Sequence, residues 1–153
     1  MKLRRWLKGL LWKLLAGFII IQFFPVKLNT GEVSDTSDFT EITNPPPDIK
    51  GLIVSACYDC HSNHTEYPWY SKVQPVGWLL QDHIEEGKTE LNFSEYGNYS
   101  GRRIRMKLES SISQIEDGEM PLASYTILHP EARLSKEEKR TLLDFLEKLH
   151  DSL

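Results

Sequence analysis

Cys57 and Cys60 are the only two cysteines among 153 residues, and His61 follows the second directly. On a helical turn, positions three and four apart share a face, so the spacing Cys57-Tyr58-Asp59-Cys60-His61 projects two sulfurs and one imidazole to the same side. A chain with this run must keep that turn helical and must set something against its reactive face. Four chemistries use such a set: a zinc site, a redox dithiol, a local disulfide, or two covalent anchors with an axial ligand.

The first three are poorly served by the rest of the sequence. A zinc-binding domain would combine Cys57, Cys60 and His64 with a fourth ligand, but no second CxxC or closely spaced HxxxH completes the set. A dithiol exchanger wants its CxxC after a strand in an α/β unit, whereas this one ends a helical pattern. A disulfide across two residues closes too small a loop to stabilise much. The fourth option fits the same-side geometry. Two thioether bonds to the vinyl groups of one porphyrin, with the imidazole beneath the iron, are what a CxxCH run signals.

The chain around the motif reads as three parts. Residues 1–26 begin "MKLRRWLKGLLWKLLAGFIIIQFFPV", with Lys2, Arg4, Arg5, Lys8 and Lys13 ahead of or within an apolar run from Leu10 to Val26 that has no acidic residue. This pattern predicts an uncleaved transmembrane anchor with its basic end in the cytoplasm, since bilayer crossing takes about 20 apolar residues. Residues 27–47 are polar and end in "NPPPD", the composition of a tether. Residues 48–153 form the expected domain, placed outside the cytoplasmic membrane, in the periplasm.

Helical periodicity dominates that third part. "DIKGLIVSACYDCH" carries Ile49, Leu52, Ile53 and Ala56 on one face, with Asp48 as expected N-cap. "PVGWLLQDHIEEG" opens at Pro75, stops at Gly87 and aligns Val76, Leu79, Leu80, His83 and Ile84. "RRIRMKLESSISQIEDG" repeats Ile104, Leu108, Ile112 and Ile115, and "SKEEKRTLLDFLEKLH" pairs Ser135 with Glu138 as a capping box before Leu142, Leu146 and Leu149. No strand alternates convincingly, so the expected class is all-α. The aromatic-rich stretch of Tyr67, Pro68, Trp69, Tyr70, Val73, Pro75, Trp78 and Leu79 is expected to wall an apolar pocket.

CxxCH early, Met120-Pro121 late and the closing "LSKEEKRTLLDFL" helix are similar to class I cytochromes c. A nearer resemblance is to the small bacterial haem-binding domain family, over roughly Pro46 to Leu149, in "ACYDCHSNHTEYPWY", "VQPVGWLLQDHIEEGKTELNFSEY" and "GEMPLASYTILHPEARLS". The resemblance implies one covalent haem c, with Cys57 and Cys60 as attachment residues, His61 as proximal ligand and Met120 as distal ligand. His83 is the alternative sixth ligand; His64 and His129 are further rivals. Arg102, Arg103 and Arg105 are candidates for pairing with the haem propionates, or form a solvated helix face.

Beyond residue 26 the chain carries 13 basic and 22 acidic residues, a formal charge of −9, which argues against nucleic acid as a partner. Redox proteins are the expected partners, and electron transfer without catalysis is the expected role. The competing class is a haem peroxidase or a gas or redox sensor with an open sixth position. A methionine ligand would close that position.

Overall fold

The computed structural model describes residues 2–153, and of Lys2 the backbone alone. Among the described residues seven α-helices occur in the order α1 (Lys2–Ile21), α2 (Phe39–Thr43), α3 (Pro47–His61), α4 (Val76–Glu90), α5 (Gly101–Asp117), α6 (Ala123–Thr126) and α7 (Lys136–Asp151). Short 3₁₀ turns cover Trp69–Lys72, Phe93–Asn98 and Pro130–Ala132. Among the described residues there is no strand, only an isolated antiparallel bridge between Thr30 and His64. The all-α expectation holds. The chain forms two compact units, one of residues through Leu28 with Glu66–His83, the other of Asn29–Thr65 with Ile84–Leu153.

In the first unit the expected transmembrane helix is not found: among the described residues no helix is long and apolar enough to cross a membrane. The reason lies in where α1 begins and ends. Arg4, Arg5, Lys8 and Lys13 lie inside it, and it stops at Ile21, short of Val26. Its uninterrupted apolar part, Leu14 to Ile21, rises about 12 Å at 1.5 Å per residue, against a hydrocarbon core of about 30 Å. The chain turns just past the helix, where Gln22 and Gln74 exchange hydrogen bonds: Gln22 Nε2 donates to the Gln74 carbonyl at 3.1 Å, and the Gln74 amide donates to Gln22 Oε1 at 2.9 Å. Trp78 Nε1 donates to the Phe24 carbonyl at 2.8 Å.

The second unit is built on α3, α5 and α7, with α7 packed against both of the others. Its core comprises Phe39, Ile49, Ile53, Phe93, Tyr96, Leu108, Ile115, Leu142 and Leu146. Local chemistry sets the ends of the helices. Ser135 Oγ accepts from the Glu138 amide at 3.2 Å, and the Ser135 amide donates to Glu138 Oε2 at 2.8 Å, completing the expected capping box of α7. Gly118 ends α5 in the left-handed region at φ 77°, a conformation that costs glycine no Cβ clash. At α3 the expected cap moves: Pro46 is the N-cap and Pro47 the first helical residue, so Asp48 sits in the first turn. Proline's fixed φ and missing N–H suit that position.

The stretch expected to be a tether belongs to this core. Phe39 has no exposed surface, and its ring meets Phe93 at 5.0 Å and Tyr96 edge-on at 4.9 Å. Asp38 caps α2, its Oδ1 accepting from the Thr40 amide at 2.9 Å and from the Tyr58 hydroxyl at 2.9 Å. Farther upstream Asn29 Nδ2 donates to the Ser62 carbonyl and to Thr65 Oγ1, both at 2.9 Å. Polar composition concealed this packing because the segment needs only one aromatic residue to anchor it.

Candidate functional site

The last turn of α3 carries Cys57, Cys60 and His61, and side chains from two other segments hold that turn in place. Asn29 donates to the Ser62 carbonyl, and Thr65 Oγ1 donates to the Asp59 carbonyl at 2.6 Å, so carbonyls left over at the helix end are satisfied by side chains. The two thiols are free and half-buried. Withdrawal from water pushes the Cys57 thiol up to about 12, with the neighbouring Cys60 adding to it. Burial likewise raises Cys60 to about 11, helped by Asp59. Dithiol exchangers work through a lowered thiol pKa, so these values oppose that reading.

The imidazole of His61 is oriented by the backbone. Its Nδ1–H donates to the Leu91 carbonyl at 3.0 Å, which leaves Nε2 without a proton and able to bind a metal ion. Burial holds the ring below its ordinary pKa, partly offset by the Leu91 and Gly87 carbonyls, so the neutral form prevails. Gly87 does not end its helix, as the sequence suggested. α4 runs on to Glu90, and Gly87 is where it passes α3: a Cβ there would stand 2.9 Å from the Cys60 carbonyl and 3.3 Å from His61 Cε1. Gly87→Ala is therefore expected to lower the free energy of unfolding by about 1–3 kcal/mol through overpacking. Chemical denaturation measures it, and an unchanged midpoint would show that the helices part without cost.

Cys57, His61 and Met120 line one cavity of about 380 Å³ in the second unit. Its walls are apolar, drawn from Phe39, Ile53, Phe93, Leu108, Leu142 and Leu146 among others, and its size lies within the roughly 300–1,000 Å³ of small-molecule sites. Cys60 lies on the same turn but does not line the cavity. Met120 follows the cap of α5, its amide donating to the Gln114 carbonyl at 3.1 Å. The loop after it is fastened to the cysteine turn: the Tyr125 hydroxyl donates to Asp59 Oδ2 at 2.6 Å, and the Pro130–Ala132 turn packs on α3 with Ala132 fully buried.

Several expectations are corrected by this arrangement. None of Tyr67, Pro68, Trp69, Tyr70, Val73, Pro75, Trp78 or Leu79 lines the cavity; they belong to the first unit, and Phe39 and Phe93 supply aromatic wall instead. The rival sixth ligands His64, His83 and His129 do not line it either. His64 is exposed at the bridge to Thr30, and His129 stacks on Tyr125 at 4.1 Å with Nδ1 donating to Glu131 at 2.9 Å. Among the described residues no three of His, Cys, Asp and Glu converge to hold a metal ion, which removes the basis for the zinc alternative.

Of the three candidate arginines, Arg103 lines the cavity and Arg102 and Arg105 do not. Its companion is Lys107, which the sequence pattern did not single out. Arg103 lies 4.8 Å from the centre of the Tyr99 ring and Lys107 5.2 Å from it, and Lys107 also donates to the Glu90 carbonyl. Burial lowers the Lys107 pKa, and the Arg103 charge adds to the effect. A spacing of i, i+4 on α5, beside Met106 and Leu108, was the available signal.

The site thus offers an apolar chamber, a neutral imidazole with a free Nε2, a thioether, two thiols at the end of one helix and two cations at its edge. These donors fit an iron porphyrin: apolar walls for the ring, soft and imidazole ligands for the metal, and positive charge for carboxylates. The sequence model of one family, described as the haem-binding domain, matches residues 16–148. No curated protein and no solved structure matches the chain. A match over that much of the chain, on a fold whose chamber suits the group, makes this protein a member of the haem-binding domain family.

Proposed function

We propose that the chain is a monohaem c-type electron carrier working outside the cytoplasmic membrane. The observation that carries the reading is the convergence of Cys57, His61 and Met120 on one apolar cavity, with His61 turned by Leu91 so that Nε2 is free. Cys57 and Cys60 are the thioether anchors, His61 the proximal ligand and Met120 the distal one. Bound there, haem supplies one-electron iron chemistry. The protein's part is to exclude water with its apolar walls, keep His61 neutral and present Arg103 and Lys107 to carboxylates. The sulfur of Met120 is a soft neutral donor that favours ferrous iron, which suits a carrier and opposes binding of peroxide or gas.

Location and partners complete the proposal. The N-terminal α1, with Arg4, Arg5, Lys8 and Lys13 and with Trp6, Leu11, Trp12 and Leu14 all more than three-fifths exposed, attaches the protein to the membrane. Because the uninterrupted apolar part of α1 is too short to cross as it stands, the attachment proposed is to the anionic bilayer surface. The partners are redox proteins with a basic docking face, steered by the acidic charge of the haem-bearing part.

Met120→Ala tests the carrier. The unaltered ferric protein is expected to show the weak far-red sulfur-to-iron charge-transfer band. The variant is expected to lose it, and its ferrous form to take up carbon monoxide. Rapid carbon monoxide binding by the unaltered ferrous protein would overturn the carrier reading in favour of a sensor or peroxidase.

A further inference from the structure

Charge and aromatic residues divide unequally between the two units. The unit of residues through Leu28 with Glu66–His83 carries seven basic and two acidic residues, and the remainder 11 basic and 20 acidic. All four tryptophans, Trp6, Trp12, Trp69 and Trp78, fall in the first. Trp69 stands out, being 80% exposed although it is 48 residues beyond the end of α1 in sequence. A tryptophan left in water on a flexible loop would mean little; this one is on a braced turn. Ser71 Oγ donates to the Pro68 carbonyl at 2.6 Å and is itself buried; Gly77 is where α4 passes so close to the Ser71 carbonyl that no Cβ fits. Gln74, also buried, ties the same stretch to Gln22 at the end of α1. Phe23 and Phe24, at that end, are 78% and 62% exposed.

We infer that the Trp69–Lys72 turn is a second membrane contact, seating Trp69 in the headgroup layer of an anionic bilayer beside the end of α1. Indole rings favour the membrane–water interface, since they offer an apolar body and one polar N–H. Lys72 and Lys27 add positive charge within the same unit, which matches anionic lipid. The bracing keeps Trp69 presented before any lipid arrives, so docking does not have to order the turn. The inference rests on the proposed membrane attachment of α1, and assigns to Glu66–His83 a role that attachment alone does not need.

The test uses the full haem-loaded chain in two forms with one tryptophan each: Trp69 alone, with Trp6, Trp12 and Trp78 changed to Phe, and Trp12 alone, with the other three changed. Each is mixed with phosphatidylglycerol vesicles whose acyl chains carry bromine near the headgroup, and tryptophan emission is read. Quenching of both is the expected result. Quenching of Trp12 without Trp69 overturns the second contact and leaves the attachment of α1 standing. Loss of quenching in both overturns the two together, and quenching of Trp69 alone upholds the turn against α1. As a check free of triple substitution, Trp69→Ser in the otherwise unaltered chain is expected to weaken partition onto these vesicles about tenfold with the haem absorption unchanged. Equal partition of the two chains would sink the proposal.

Discussion

Acidified organic solvent is expected to strip all pigment from a Cys57→Ala/Cys60→Ala double variant and none from the unaltered chain. In the proposed site, His61 and Met120 would hold the iron only while the cavity is folded, so that hold would end when the protein is denatured. A thioether bond between a cysteine sulfur and a former vinyl carbon does not depend on the fold. The two thiols differ in position, since Cys57 lines the cavity and Cys60 does not. If both are anchors as proposed, either one alone would keep colour with the chain, so each single variant is expected to retain pigment, with the absorption of its pyridine complex shifted by one unsaturated vinyl. Pigment extracted intact from the unaltered protein would end the covalent reading while leaving membership of the family in place.

Phe39→Ala is expected to lower the stability of the haem-bearing unit by about 3–5 kcal/mol, the range for truncating a buried aromatic residue. Small proteins are stable by about 5–15 kcal/mol in total, so much of that margin would be lost. The side chain has no exposed surface and borders the cavity, and it contacts both Phe93 and Tyr96, so the space it leaves cannot close by a single rearrangement. Denaturant unfolding of the haem-loaded protein gives the number. Val33→Ala, at a position 42% exposed in the same segment, serves as the control and is expected to cost under about 0.5 kcal/mol. Equal and negligible losses for the two would restore a tether in place of a packed segment.

Much of the site was legible in the sequence because it is local. Cys57, Cys60 and His61 share a face by spacing alone, Ser135 and Glu138 cap α7 within one turn, and Leu108, Ile115, Leu142 and Leu146 reveal their buried side through helical period. Met120 was marked out by resemblance, and it does share a cavity with His61. Lys107 was visible as a cation one turn from Arg103 but gained meaning only once both lined the same space.

What periodicity does not report is which distant segment fills a gap. Phe39 sits in a polar, aperiodic stretch, and one ring gives no repeat to detect, yet it is central to the core. The aromatic cluster from Tyr67 to Leu79 carries a stronger apolar signal and lies in the other unit, because hydrogen bonds from Gln74 and Trp78 attach it to the end of α1. Gly87 reads as a helix stop when judged by propensity, but it is a crossing point, set by the approach of the Cys60 carbonyl. The helical class, the reactive turn and the faces of the helices were thus readable in the chain, all being consequences of contacts within about four residues. Which aromatics wall the chamber, what orients His61 and where the first helix ends were settled by packing alone, since those depend on groups 30 to 54 residues apart meeting in space.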